Sequence, residues 1–245
     1  MGIHTLVVAH RGYAPASIHQ NSLEAFKLAE RYGAKAIEFD IRMTKDHELV
    51  IFHDPFYWNG NGFRRVPSVT LDEFRETFDN NRAPTFSSLC KEIDRRIKFF
   101  IELKPTPFPD RLIKILESHI PTDREILILT YKQHILKKLN QTGLPSGLHY
   151  INPFKDNIAR AKKYGAIALS PIYWVVNSTT VKKIQNSGLE IYPWTVNKPV
   201  FIKTLIDWGV DGIYTNNFPV AKTLLETSDS LGKQMLQNSA VYNTR

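Results

Sequence analysis

The chain of 245 residues has one cysteine, Cys90. That excludes an internal disulfide and a cysteine-ligated zinc site. With no disulfide framework to form, a reducing compartment is the simpler assumption. No basic leader with a long apolar run opens the chain: Met1-Gly2-Ile3-His4-Thr5 leads straight into Leu6-Val7-Val8-Ala9. The longest uncharged stretch, Tyr164 to Val181, holds Pro171, Asn177 and several hydroxyl residues, so it does not read as a membrane span. Together these absences set the expectation of a cytoplasmic protein without a transmembrane segment. Also missing are a Gly-x-Ser-x-Gly elbow, a Walker loop and a His-Glu-x-x-His pair. Cys90 falls on an expected helix away from strand ends, which argues against a catalytic thiol.

What is present is an ordinary globular balance, 42% apolar and 23% charged. Lys plus Arg number 32 against 24 Asp plus Glu, a net charge of +8. The surplus reads first as solvated surface. It also suits an anionic small-molecule substrate or peripheral contact with an anionic membrane. The basic residues are scattered in doublets such as Arg64-Arg65 and Lys137-Lys138, without an interleaved aromatic stripe, so nucleic acid is not expected. The sequence does not speak to the oligomeric state.

Short β-branched and aromatic runs predict strands at 6–9, 36–41, 98–103, 126–130, 147–151, 167–170, 190–195 and 212–215. Helical patterns fall between most of them, at 21–33, 109–119, 132–142, 154–164, 178–187 and 199–208. Asn21 with Glu24 three residues on suggests a capping box for the first. From residue 98 onward the strands recur every 20 to 28 residues, the cadence of βα units in a parallel sheet. Eight such strands indicate an α/β protein built as a (β/α)8 TIM barrel, one domain over 1–245. A doubly wound sheet would want a Gly-rich loop after its first strand, and none is there. The gap from 36 to 98 is too long for one unit. Leu49-Val50-Ile51-Phe52-His53 reads as an antiparallel hairpin strand joined through Thr44-Lys45-Asp46-His47, which sets Asp40 opposite Phe52 or His53. A short insertion follows at about 54–70, in which Phe56, Tyr57 and Trp58 are expected to pack under the loop; an apolar lip for acyl chains is the alternative. Helices near 70–78 and 85–96 return the chain to the barrel. The polar tail, about 228–245, reads as disordered or as a loose terminal helix.

In such barrels chemistry sits at the C-terminal ends of the strands. Glu38 and Asp40 are two apart and share a face; Ile37, Phe39 and Ile41 take the other, toward the helices. Glu102, between Ile101 and Leu103, follows the same logic. Three carboxylates in one barrel mouth repel unless a cation sits among them. Oxygen ligation suits Mg²⁺, Ca²⁺ or Mn²⁺. The competing reading pairs each carboxylate with a barrel cation, for which Arg11 and Lys104 are available. His10 and His53 end two different strands beside the acids and can divide general acid and base duties. Arg11 and Lys104 offer fixed charge for a phosphate. His149, in mid-strand, is assigned to packing or hydrogen bonding.

Ala9-His10-Arg11-Gly12 followed by Asn21-Ser22-Leu23-Glu24-Ala25-Phe26 resembles the opening signature of the glycerophosphodiester phosphodiesterase family. Ile37-Glu38-Phe39-Asp40, Thr44-Lys45-Asp46, Phe52-His53-Asp54, Ile101-Glu102-Leu103-Lys104, Trp194-Thr195-Val196-Asn197 and Val210-Asp211-Gly212-Ile213 continue it in order. The resemblance implies a (β/α)8 barrel that hydrolyses a glycerophosphodiester to glycerol 3-phosphate and an alcohol. It implies His10 and His53 as the acid/base pair and Glu38, Asp40 and Glu102 as metal ligands. It makes Arg11 and Lys104 phosphate contacts and sets Trp194 on the glycerol or head-group side. Three positions depart from the family pattern: Gln20 where Glu is usual, His47 where Gly is usual, and Asn216 where Asp is common. His47 would then take a strained positive φ. Two rival functions stay open: a lysophospholipase D or sphingomyelinase D-like lipid phosphodiesterase, and a non-catalytic phosphodiester-binding barrel.

Overall fold

The structure is a computed structural model; it describes residues 5–242, and side chains as far as Ser230. Eight strands make the barrel: β1 (Leu6–His10), β2 (Ala36–Met43), β6 (Lys98–Leu103), β7 (Ile126–Thr130), β8 (Ser146–Tyr150), β9 (Ala168–Pro171), β10 (Glu190–Ile191) and β11 (Gly212–Thr215). They are parallel, in the spatial order β10-β9-β8-β7-β6-β2-β1-β11. The ring closes through Tyr214, whose N–H donates to Pro193 O at 3.0 Å and whose carbonyl accepts from Val196 N–H at 2.8 Å. The predicted strand 190–195 shortens to two residues because Pro193 has no N–H to give a ladder; Trp194 alone still bridges Ile172.

The helices are α1 (Leu23–Arg31), α2 (Leu71–Arg75), α3 (Phe86–Glu92), α4 (Pro109–His119), α5 (Gln133–Thr142), α6 (Asn157–Lys163), α7 (Ser178–Asn186), α8 (Pro199–Asp207) and α9 (Phe218–Tyr242). The tail from Ser228 therefore continues α9 as far as Tyr242, and 243–245 lie outside the described residues. The α1 cap sits one residue later than expected. Ser22 accepts from Ala25 N–H, while Asn21 takes a left-handed φ of 60° and turns its side chain into the barrel. The capping box occurs instead at α2, between Thr70 and Glu73.

Two apolar layers result from the period-two alternation of the strands. Ile37, Phe39, Ile41, Phe99 and Ile101 face the helices, where Phe39 packs edge-on against Phe26 and Phe99. Val8, Ala36, Phe100, Leu127, Leu129, Ala168, Tyr192 and Tyr214 fill the barrel floor.

After β2 the chain turns back as β3 (Leu49–Ile51), antiparallel to it, and Phe52 N–H donates to Asp40 O at 3.0 Å. His47 holds the turn at φ 70°, as its replacement of glycine led us to expect. The insertion is a small ribbon, β4 (Phe56–Trp58) against β5 (Phe63–Arg65). Tyr57 alone packs beneath it, on Phe74 and Phe78. Phe56 and Trp58 point outward and are about half exposed, at 49% and 56%, contrary to the expectation that all three pack. Alternation along a two-stranded ribbon allows only one face to be covered.

Candidate active site

Two residues beyond the floor, on the same inward phase, every contributing strand turns polar or aromatic, β7 through Tyr131 after Leu129. The sequence is Val8 then His10, Ala36 then Glu38 and Asp40, Phe100 then Glu102 and Lys104. It continues with Gly147 then His149, Ala168 then Ser170, Tyr192 then Trp194, and Tyr214 then Asn216. Register levels these groups: His10 lies beside Glu38, and Asp40 beside Glu102. Glu38, Asp40 and Glu102 each offer a carboxylate oxygen within 4.8 Å of the others.

Two fixed cations serve these three acids. Arg11 Nε lies 3.1 Å from Asp40 Oδ2, and Lys104 Nζ lies 2.8 Å from Asp40 Oδ1 and 2.5 Å from Glu102 Oε1. The groups expected to face a phosphate are thus drawn onto the acids. Glu38 gets no such partner; it accepts from the Arg11 backbone N–H at 3.1 Å. Burial, then the neighbouring Asp40 and Glu102 charges, push its carboxyl well up. Burial also raises Glu102, helped by Asp40. Burial works the same way on Asp40, but Lys104 and Arg11 outweigh it and hold that carboxyl at about 2. Asp40 Oδ1, though buried, has no hydrogen bond of good geometry, because Lys104 approaches it at a poor angle. An excess of clustered carboxylates over paired cations, with Glu38 lacking any cationic side-chain partner of its own, fits a hard divalent cation.

Asn21 supports Asp40, donating from Nδ2 to Oδ2 at 2.8 Å. Its left-handed backbone and that of Arg11, φ 55°, lock together through Asn21 N–H to Arg11 O at 2.9 Å. Each such conformation costs about 1–3 kcal/mol in a non-glycine residue. Gly12 follows at φ 79°, and a Cβ there would lie 2.7 Å from the Ala25 carbonyl carbon, so the His10-Arg11-Gly12 turn can press against α1 only with glycine.

The tautomer of His10 follows from a chain of donors. Arg11 Nη1 can only donate, and it meets Gln20 Oε1 at 3.4 Å. Gln20 therefore presents Nε2 to Asn216 Oδ1, 3.2 Å away. Asn216 Oδ1 accepts, so the His10 Nδ1 at 2.7 Å carries the proton. Nε2 is left as the free lone pair, 3.4 Å from Thr195 Oγ1 and 3.8 Å from Glu38 Oε2. Gln20 and Asn216, two of the three departures from the family pattern, thus touch each other and set this ring together. Burial, aided by Arg11, lowers the His10 imidazole to about 4, so it is neutral at pH 7.

His53 is fixed differently. Asp54 Oδ1 meets its Nδ1 at 2.7 Å, and its carbonyl accepts from Arg42 Nε at 3.0 Å and Nη2 at 2.6 Å. Its ring lies near enough to Asp40 and Glu102 for its charge to act on both. Arg11, Gln20, Asn21, His53, Asp54 and Phe56 share the wall of one cleft of about 410 Å³.

His149 packs and hydrogen-bonds as its mid-strand place suggested, stacked on Tyr131 with Nδ1 3.4 Å from Ser170 O, but it does so inside the site. It points into the barrel mouth with Nε2 3.8 Å from Glu102 Oε2, and burial lowers its imidazole to about 3. Its ring stacks on Tyr131 and meets Trp194 edge-on, and Trp194 Nε1 donates to Ser170 O at 2.8 Å. The signal that could have found His149 and Ser170 is the inward phase itself, a small residue followed two positions on by a polar one. Arg42 shares that phase with Glu38 and Asp40, whereas nothing local to Asn21 showed that its side chain would reach Asp40. Cys90 lies on α3 outside the site, where burial pushes its thiol up to about 11.

Barrel, acids and imidazoles gathered at the C-terminal ends of the strands are the make-up of a barrel enzyme with acid/base chemistry beside a cation. A profile of the glycerophosphoryl diester phosphodiesterase family matches residues 10–219, so the chain belongs to that family. The glycerophosphodiester phosphodiesterase of Caldanaerobacter subterraneus subsp. tengcongensis is 31% identical to it, over 87% of this chain and 94% of that protein. Among solved structures, a glycerophosphodiester phosphodiesterase from Parabacteroides distasonis has a TM-score of 0.81 at 24% identity, over 93% of this chain and 99% of that one. An Oleispira antarctica phosphodiesterase, in complex with the product sn-glycerol-3-phosphate, has a TM-score of 0.79 at 20% identity, over 90% and 96%. These two likenesses show the fold. No helix among the described residues is long and apolar enough to cross a membrane.

Proposed function

We propose that the chain hydrolyses glycerophosphodiesters to sn-glycerol 3-phosphate and an alcohol, using a divalent cation and two histidines. The observation that carries this reading is the convergence of three carboxylates, two of them buried and the third nearly so, beside His10, whose unprotonated Nε2 faces them. Glu38, Asp40 and Glu102 would hold the cation, Mg²⁺, Ca²⁺ or Mn²⁺, which when bound supplies positive charge to a non-bridging phosphate oxygen. His10, neutral and fixed by Asn216, accepts a proton from the attacking water, whose oxygen forms the new P–O bond as the bond to the alcohol breaks. His53, oriented by Asp54 and Arg42, returns a proton to the leaving alkoxide, otherwise a poor leaving group. Arg11 and Lys104 stand where the phosphate competes with Asp40 for them, so charge developing on the phosphate can be met without reorganising the barrel. The aromatic wall of Trp194, Tyr131 and His149 suits the C–H face of glycerol.

The test is product formation from glycerophosphocholine and glycerophosphoethanolamine with Mg²⁺, Ca²⁺ or chelator. Glycerol 3-phosphate should appear and should vanish with chelator. His10→Asn and His53→Asn should each lower kcat by about 10²–10⁴-fold. Near-normal turnover in either variant sinks the two-histidine assignment. The outward Phe56 and Trp58 favour a second reading, hydrolysis of an acylated diester, which direct comparison of glycerophosphocholine with lysophosphatidylcholine decides.

A further inference from the structure

Exposed apolar side chains are distributed unevenly over this barrel. Twelve large ones are exposed among the described residues, and only Tyr32 and Ile167 belong to the end away from the catalytic groups. The rest lie on the ribbon or at the loops and helix starts that follow barrel strands at their C-terminal ends. Phe154 after β8 is 95% exposed, Phe63 on the ribbon 75% and Trp174 after β9 64%. Several separate loops at the catalytic end thus carry exposed aromatics.

The β4–β5 ribbon concentrates this pattern. Its register pairs Phe56 with Arg65 and Trp58 with Phe63, so all four share one face. Trp58 and Phe63 pack edge-on with centroids 5.3 Å apart, and the Arg65 guanidinium lies 5.7 Å from the Phe56 ring. The opposite face is filled by Tyr57 against Phe74, which places the acidic residues of α2 (Asp72, Glu73, Glu76) behind the ribbon rather than on its aromatic side. Exposed cations accompany the aromatics: Arg65 on the ribbon's aromatic face, and Lys132, Lys155 and Lys198 on three other loops of the same end, while Arg64 shares the Tyr57 face with Glu73 nearby. At the far end Arg95 pairs with Asp123 and Arg96 with Asp94, while Lys35, Lys162 and Lys163 are exposed there too, so it is the aromatics that set the catalytic end apart. Aromatic rings carried with unmatched Arg and Lys, over a broad discontinuous surface, have the composition of a bilayer interface rather than of a peptide groove.

We propose that the catalytic end of the barrel docks on an anionic lipid bilayer, with the Phe56-Trp58-Phe63-Arg65 face seated in the headgroup layer. Trp58 and Phe63 supply the apolar contact and the surrounding cations the attraction, which falls with salt.

The experiment is co-sedimentation of the full chain with vesicles of phosphatidylcholine alone and of phosphatidylcholine mixed with phosphatidylglycerol, whose anionic surface attracts Lys and Arg. The expected result is binding to the anionic vesicles, weakened by salt. W58S/F63S should lower the partition about tenfold or more with an unchanged thermal midpoint, since both side chains are exposed. F154S, on an independent loop, should lower it several-fold. Failure of the wild type to prefer anionic vesicles overturns the proposal, as does W58S/F63S binding like wild type. A dimer in sedimentation equilibrium that W58S/F63S dissociates would assign the face to a second copy of the chain and overturn it equally.

Discussion

His149 carries a cost that pH exposes. A histidine buried neutral, with its imidazole lowered to about 3, is protonated more readily in the unfolded chain, near pH 6.5. Stability from this group is present above that value and drains away as pH falls toward 3. Between pH 7 and pH 5 the loss is about 2 kcal/mol. His149→Gln removes the group, so its urea midpoint should fall less than the wild type's over that interval. At His10 the neighbour is the lever. Asn216→Asp puts a carboxylate on Nδ1, favours the imidazolium and should move the acid limb of the kcat/KM profile up by about one pH unit or more. A profile that stays in place would show that Asn216 does not tune the ring. These residues differ in how far the sequence revealed them. Glu38, Asp40 and Glu102 announce themselves because a charge alternates with strong apolar neighbours. His149 hides because its strand, Ser146–Tyr150, has weak alternation: Gly147 supplies the inward floor position with no side chain to mark the phase.

At the level of elements, β2 is the piece on which the site is built. It runs past the barrel to Met43, so that β3 can return along it and deliver His53 beside Asp40. Arg42, inward and buried, then ties down the His53 carbonyl with two hydrogen bonds. It touches no catalytic atom and acts by position. Arg42→Met should lower kcat about 10–100-fold through misplacement of the ring, with KM little changed. A selective fall in KM-dependent terms would point to substrate contact instead. The strands of this scaffold were readable because β-branched runs and the βα cadence reinforce each other, and β6, β7 and β11 fall at the expected residues. Two features were not. The cap of α1 shifted because Asn21 gains a partner in Asp40, nineteen residues away, that local sequence does not disclose. Likewise, a Phe-Tyr-Trp run does not say which of its rings faces water until the ribbon's pairing is known.

For the whole molecule, three clustered carboxylates are paired directly with only two cations, Arg42 being bound to the His53 carbonyl, and this makes the fold responsive to a further positive charge. A divalent cation that binds only the folded chain stabilises it by about 2.7 kcal/mol at a hundredfold excess over Kd. For a chain of this size, that raises Tm by about 5–10 °C. Because Glu38 and Glu102 are raised, binding must displace their protons, so affinity should climb with pH and protons should be released on titration. Glu38→Gln should abolish most of the thermal shift. An equal shift in that variant would place the cation elsewhere.

The seam between the last two strands has its own consequence. Elsewhere the wall is a continuous ladder, but there it rests on Tyr214 clasping Pro193 and Val196. A barrel so joined should breathe at that join before any other, and its amides should exchange first among those of the wall. Trp194, Thr195 and Asn216 flank the join, so each opening would slacken the grip on His10 while the acids on β2 and β6 stay seated. The molecule thus keeps its charge centre on its firmest staves and hangs its proton acceptor beside its most yielding one.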